Sequence, residues 1–140
     1  MPYTLEYKDT SDGVISTYLG TVTDEEFQQC LKQKFLLGDK SMSHEKTGVP
    51  CYFISDFADA TDFDVSVEAV KYSANLYRAL MEANETVLMA VVAPNVHEFG
   101  MGTLWQAYIG SQSERTKVFR IKEEANNWIA QTLLQPEEAI

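Results

Sequence analysis

Apolar and polar residues alternate at the start of the chain. Tyr3, Leu5 and Tyr7 are separated by Thr4 and Glu6, the two-residue period of a half-buried strand. Ser11-Asp12-Gly13 is turn chemistry. Val14 to Val22 then predicts a second strand, with Ile15 and Leu19 on one face, so a hairpin is expected. The period next changes to three or four: Phe27, Cys30, Leu31 and Phe35 mark one face of a helix. Thr23-Asp24-Glu25-Glu26 before them is a capping box, and its acidic residues suit the positive end of the helix dipole. Gly38 is the expected stop, and Asp39 to Pro50, polar and aperiodic, predicts a loop.

The stretch from Cys51 to Ser66 is central. Tyr52, Phe53, Ile54 and Phe57 form a bulky apolar run, as in a strand covered on both faces. Asp56, Asp59, Asp62 and Asp64 follow among small residues and predict an acidic turn. Val67, Val70, Ala74, Tyr77 and Met81 then trace a helix face. In an open α/β sheet, the loop after such a strand is where ligands and switches usually sit. Thr86 to Ala93 is the most apolar run and predicts an interior strand ended by Pro94. Asn95 to Glu98 offers a second capping box, after which Met101, Leu104, Trp105 and Tyr108 line a helix closed by Gly110. Gly100 and Gly102 in its first turns each cost up to about 1 kcal/mol relative to alanine, so this helix is the one expected to open. Lys117 to Ile121 predicts a last strand, and Glu123 to Leu133 a last helix. That helix should turn Ala125, Trp128, Ile129 and Leu133 inward, with Pro136 beyond its end. The order β-β-α-β-α-β-α-β-α describes one α/β domain over residues 1–140.

Composition narrows the function. A length of 140 residues with 45% apolar content buries roughly two-thirds of the unfolded chain's surface. The formal net charge of −10 argues against nucleic acid and strongly anionic membranes as partners. No run approaches the roughly 20 apolar residues of a bilayer span, and Met-Pro-Tyr-Thr lacks the features of a signal peptide. The cytoplasm is the expected location, with Cys30 and Cys51 reduced.

No nucleophile, base and oxyanion set can be assembled from this sequence, so the expectation is a protein that is not an enzyme. No cofactor is expected. The four aspartates lack the spacing and glycine of a calcium loop, and the simpler reading is that Asp62 and Asp64 cap the following helix and interact with its dipole. His44 and His97 have no second nitrogen or sulfur ligand at zinc spacing, so no metal site is expected. Cys30 and Cys51 read as core residues. Phe57 and Phe63 flank the acidic turn, and Phe99 opens the helix after the next strand. If the two strands are neighbours, these rings, with Met101, Trp105 and Tyr108, either complete the core or line an apolar pocket under a mobile lid.

Several segments together resemble the SpoIIAA-like family, relatives of the STAS domains of anti-sigma factor antagonists. These are Val118-Phe119-Arg120, Glu124-Ala125 and Trp128-Ile129 at the C-terminus, Phe99-Gly100-Met101, and the Asp62-Phe63-Asp64-Val65-Ser66 turn. The resemblance covers nearly the whole chain and rests on order and spacing together. It implies a stacked β-α superhelix with a mixed sheet whose first strand is antiparallel. It also implies a regulatory alternative, because STAS-type antagonists carry a phosphorylatable serine two residues beyond an aspartate at this helix start. Asp64 and Ser66 would match those positions. Val65 and Val67 depart from the small polar residue and the glycine usual there. SpoIIAA-like proteins look like lipid-binding CRAL-TRIO domains, so the resemblance further implies a small hydrophobic ligand or a membrane. The expectation is therefore a binding domain for a small apolar, lipid-like ligand or a protein partner, with peripheral membrane association and a homodimer left open. The alternative is a STAS-type regulator switched at Ser66.

Overall fold

The computed structural model describes residues 3–8, 12–42, 50–83 and 87–138. Strands β1 (Tyr3–Lys8) and β2 (Gly13–Thr23) form the expected antiparallel hairpin. Helix α1 (Asp24–Met42) leads to β3 (Tyr52–Asp64), α2 (Val67–Ala83), β4 (Leu88–Val92) and α3 (Val96–Ile109). A 3-10 turn (Gly110–Arg115), β5 (Thr116–Phe119) and α4 (Lys122–Glu138) complete the order. The five strands make one sheet in the order β1-β2-β3-β4-β5, and β2 to β5 are parallel. This is the mixed α/β architecture expected, with an antiparallel first strand.

Strand alternation divides the core between the two faces of this sheet. On one face α1, α2 and α3 cover Val14, Tyr18, Phe53, Phe57, Met89 and Val91. On the other, α4 alone packs Ala125 and Ile129 onto Ile15, Ile54, Ala90 and Val92. Trp128 is only half-buried, tilted against Phe119 with ring centroids 5.8 Å apart at the edge of this smaller core. No helix among the described residues is long and apolar enough to cross a membrane.

Three elements differ in extent from their sequence pattern. Helix α1 runs past Gly38 to Met42, so Asp39 to Met42 are helical rather than loop; His44 lies outside the described residues. Helix α4 continues through Pro136 to Glu138, because a proline near the C-terminal end removes only one intrahelical hydrogen bond. The largest difference is the acidic turn, which does not exist. Asp56, Asp59, Asp62 and Asp64 all lie within β3, whose second half pairs with β2 beyond the end of β4. The β2–β3 register slips between Thr17 and Leu19 and again between Gly20 and Thr21. Each slip adds one residue to β3, so its inward positions become Phe57, Ala60 and Phe63, three apart instead of two.

Candidate functional site

Two places in this frame bring chemistry together. The first is at the N-termini of α1 and α2. Thr23 ends β2, and the Glu26 carboxylate reaches back to accept from its backbone N–H at 3.1 Å and its hydroxyl at 3.2 Å, one half of the expected capping box. Asp24, the first residue of α1, points away to α2. Its Oδ1 accepts from the Ser66 backbone N–H at 2.6 Å, and its Oδ2 accepts from the Ser66 hydroxyl at 2.7 Å. Ser66 Oγ in turn accepts from the Ala69 N–H at 3.1 Å, the geometry of an N-cap. Ser66 is half-exposed. The carboxylate at its hydroxyl is thus Asp24, 42 residues earlier, rather than Asp62 or Asp64. No sequence spacing signals that contact.

The second place is a cavity between the sheet and the three helices. Its walls include Phe57 and Phe63 from β3, Val70 and Tyr77 from α2, and Met101 and Trp105 from α3. The neighbouring strands therefore do bring together four of the six aromatic and methionine positions singled out in the sequence. Phe57 stacks on Tyr18 with centroids 4.4 Å apart and meets Phe63 edge-on at 5.2 Å. Trp105 meets Tyr77 edge-on at 5.9 Å. The other two do not line the cavity. Phe99 is half-buried beneath the Arg120 guanidinium, and Tyr108 is half-buried with the Lys71 ammonium 5.7 Å from its ring. The reason is the rotation of α3, whose buried stripe is Glu98, Gly102, Trp105 and Ile109. Gly102 lies on that stripe: a Cβ there would stand 3.1 Å from Val118 Cγ1, so glycine lets the helix pack against β5 without displacing that side chain by a few tenths of an ångström. Gly102 thus has a packing role, whereas Gly100 faces open space.

The cavity also holds polar groups that the aromatic pattern did not indicate. Lys34 of α1 is buried, its ammonium 3.1 Å from Ser55 Oγ and within 6 Å of the Tyr18 and Tyr77 ring centroids. Burial works against the ammonium, but the Tyr18 and Tyr77 phenols and the Cys30 thiol more than offset it, and its pKa lies above that of ordinary lysine. The same burial raises the Tyr18 and Tyr77 phenols against the pull of Lys34. Glu98 of α3 is only 3% exposed, and neither of its carboxyl oxygens makes a hydrogen bond of ordinary geometry. Asn95 caps α3 by accepting from the Glu98 backbone N–H at 2.9 Å. The Glu98 side chain does not complete a capping box and turns inward instead.

Burial raises the Glu98 carboxyl above its ordinary value, opposed by the Asn95 amide and the His97 ring. With the folded pKa above the unfolded one, the folded state holds the proton more tightly, so stability falls as pH rises from the unfolded value through the folded one. Glu98→Gln should therefore melt higher than the parent protein near pH 7, and the gap should close towards pH 4. Thermal melts of both proteins across that range are the check; a gap independent of pH would show that desolvation of this carboxyl is not the cause.

The space left in the cavity is about 40 Å³ for the centres of water-sized molecules, room for a few waters or a compact ligand group. Among the described residues, no three histidine, cysteine, aspartate or glutamate side chains converge as a metal site. His97 is exposed, its Nε2 3.1 Å from the Phe63 carbonyl. Cys30 is buried and Cys51 half-buried, neither in a disulfide.

A mixed five-stranded sheet with three helices on one face and one on the other defines a SpoIIAA-like, STAS-like fold. Solved structures that share it include the following two. One is the anti-sigma factor antagonist SpoIIAA in its unphosphorylated form, with a TM-score of 0.56 and 13% identity over 91% of this chain and 97% of that one. The other is an uncharacterised DUF3478-family protein with a SpoIIAA-like fold from Shewanella loihica PV-4, with a TM-score of 0.53 and 16% identity over 91% of each chain. No family model matches the sequence, and no curated protein matches it significantly.

Proposed function

We propose that this chain is a regulatory domain that acts by binding a protein partner, with Ser66 as a phosphorylatable switch. The observation that carries this reading is the contact of Ser66 with Asp24. Phosphorylation of Oγ would replace a hydroxyl donor with a group of nearly two negative charges directly against a carboxylate. The short hydrogen bond that ties the start of α2 to the start of α1 would become a repulsion. Helices α1 and α2 also flank a shallow surface groove lined by Gln28, Leu31, Phe35, Tyr72 and Leu76. Tyr72 there is 53% exposed, an aromatic of the kind enriched in protein interfaces. A change at Ser66 would thus alter the relation of the two helices that a partner would touch. The fold shared with an anti-sigma factor antagonist, described in its unphosphorylated form, agrees with this reading.

The internal cavity is too small as it stands for an acyl chain, and on that ground a lipid carrier is the weaker reading. The test is mass spectrometry of the protein purified from its native host across growth conditions, followed by partner capture with the parent protein and Ser66→Asp. Occupancy at Ser66, with loss of the partner in Ser66→Asp, is the expected result. No occupancy under any condition, with equal capture by both proteins, overturns it.

A further inference from the structure

Strand β5 ends the sheet and pairs only with β4, so its outer edge carries no further strand among the described residues. The Phe119 carbonyl accepts from Ala93 N–H at 2.7 Å and therefore points towards β4. Backbone groups of successive residues in a parallel strand point to opposite sides, which turns the N–H and C=O of Val118 outward. At Thr116 the outward carbonyl is already taken by the Gln106 amide at 3.0 Å. The side chains along this edge are cationic. Lys117-Val118-Phe119-Arg120-Ile121-Lys122 holds three cations and no acid, in a chain of net charge −10. Lys122 pairs with Asp56 at 3.4 Å, whereas Lys117 and Arg120 have no ion pair among the described residues. Aromatic rings hold both in place: the Lys117 ammonium lies 5.6 Å from the Phe119 centroid, and the Arg120 guanidinium 4.6 Å from that of Phe99. Phe119 packs under α4 and Phe99 belongs to α3, so the two charges stand on opposite faces of the edge. Beside them, Val96 and Ile121 are 76% and 56% exposed. Their two loops meet where Arg120 Nη1 lies 3.5 Å from the Pro94 carbonyl.

We propose that β5 accepts an extended acidic and apolar segment of a partner protein as a sixth, antiparallel strand. The added strand exchanges main-chain hydrogen bonds with Val118, and its side chains supply the specificity. Residues directly opposite each other in an antiparallel pair share a face. One carboxylate therefore meets Lys117 on the α4 side and a second, three residues away, meets Arg120 on the α3 side. Apolar residues between and beyond them lie against Phe119 and Ile121. Cations along an edge disfavour a second copy of this chain, whose Lys117 and Arg120 would meet their own kind. An acidic strand turns that repulsion into attraction. The acids that follow, Glu123 and Glu124, stand in the first turn of α4, where they suit the helix dipole. Neither Ser66 nor the groove between α1 and α2 belongs to this edge, so it stands or falls independently of the switch.

The experiment is NMR titration of the full chain at low salt with three blocked heptapeptides. The first is Thr-Glu-Val-Val-Glu-Ile-Thr; the second has lysine for both glutamates; the third is the first with its central valine N-methylated, which removes one strand hydrogen bond and keeps the charge. The glutamate peptide is expected to shift the amides of residues 116–122 and to bind about fivefold or more tightly than either of the others. Lys117→Glu, an exposed substitution, should weaken the glutamate peptide about fivefold, and Lys117→Glu with Arg120→Glu should reverse the preference towards the lysine peptide. Far-UV circular dichroism confirms the fold of each variant, and the single variant suffices if the double one does not fold. Equal binding of the glutamate and lysine peptides would overturn the proposal, as would undiminished binding of the N-methylated one, which would reduce the contact to charge alone. No shift up to about 1 mM peptide would overturn it too. So would a concentration-dependent dimer abolished by Lys117→Glu, which would assign the edge to a second copy.

Discussion

Gly13→Ala is expected to destabilise the protein by about 3 kcal/mol, a larger loss than most single surface or turn substitutions produce. Gly13 opens β2 and pairs directly with Tyr52 of β3. The Tyr52 ring lies across it, and a Cβ at Gly13 would overlap the ring atoms Cζ, Cε1 and Cε2. The ring would have to leave its place among Ile15, Ile54 and Leu88 in the core beneath α4. Removing a large buried side chain from its contacts costs roughly 1.5–3 kcal/mol, and overpacking adds to it. The backbone has little room to yield: Asp12 beside it has a φ of 59°, and its carbonyl accepts from Cys51 N–H at 2.7 Å. A double-mutant cycle checks the cause. In a Tyr52→Ala background the same Gly13→Ala change should cost less than about 1 kcal/mol, because the obstructing ring is gone. Equal costs in both backgrounds would place the effect in the backbone instead.

The order and type of elements were readable from periodicity because each secondary structure here buries a face. Tyr3, Leu5 and Tyr7 alternate, and Phe27, Cys30 and Leu31 recur at helical spacing, for that reason. The acidic end of β3 was misread as a turn because Asp59, Thr61, Asp62 and Asp64 carry no strand pattern of their own. What makes them a strand is pairing with β2, a partner about 40 residues away, and local propensity cannot report it. The bulges hid the face further. Phe57, Ala60 and Phe63, three apart, look like the start of a helix, whereas each extra residue in a bulged strand shifts the inward face by one.

The aromatic half of the cavity was also readable, since Phe57, Phe63, Met101 and Trp105 stand out by size. The polar half was missed, although its signal was present. Lys34 continues the buried stripe of Phe27, Cys30 and Leu31; Ser55 occupies the inward position between Phe53 and Phe57; Glu98 begins the stripe completed by Gly102, Trp105 and Ile109. A charge or hydroxyl on an apolar stripe is usually assigned to the margin of a helix or strand. Three such residues, on three elements that meet, describe a polar cluster inside the core. Only the packing of α1, β3 and α3 against one another shows that they meet. The Asp24–Ser66 contact is of the same kind, a pairing of two helix starts created by tertiary structure.

Ser66→Glu is expected to lower stability by about 3 kcal/mol, and the loss should depend on salt. The substitution removes the N-cap oxygen that accepts from Ala69 N–H, worth about 1 kcal/mol. It also removes the hydroxyl donated to Asp24 at 2.7 Å, a bond to a charged acceptor worth about 1.5–3 kcal/mol. The new carboxylate then faces Asp24, and Asp24 can no longer satisfy both the Ser66 N–H and a neutral partner. Ser66→Gln separates these contributions, because it loses the same cap and the same hydroxyl without adding a charge. The glutamate variant should melt several degrees below the glutamine variant in low salt. That gap should shrink as the ionic strength rises towards 1 M, where screening acts within about 3 Å. Denaturant unfolding of the three proteins at two salt concentrations measures it. If glutamate and glutamine are equivalent at both, negative charge at this position does not act through Asp24, and the electrostatic basis of the switch fails even if Ser66 is modified. If the charge-dependent gap is present, phosphate, with more charge than a carboxylate, acts on the α1–α2 contact more strongly still.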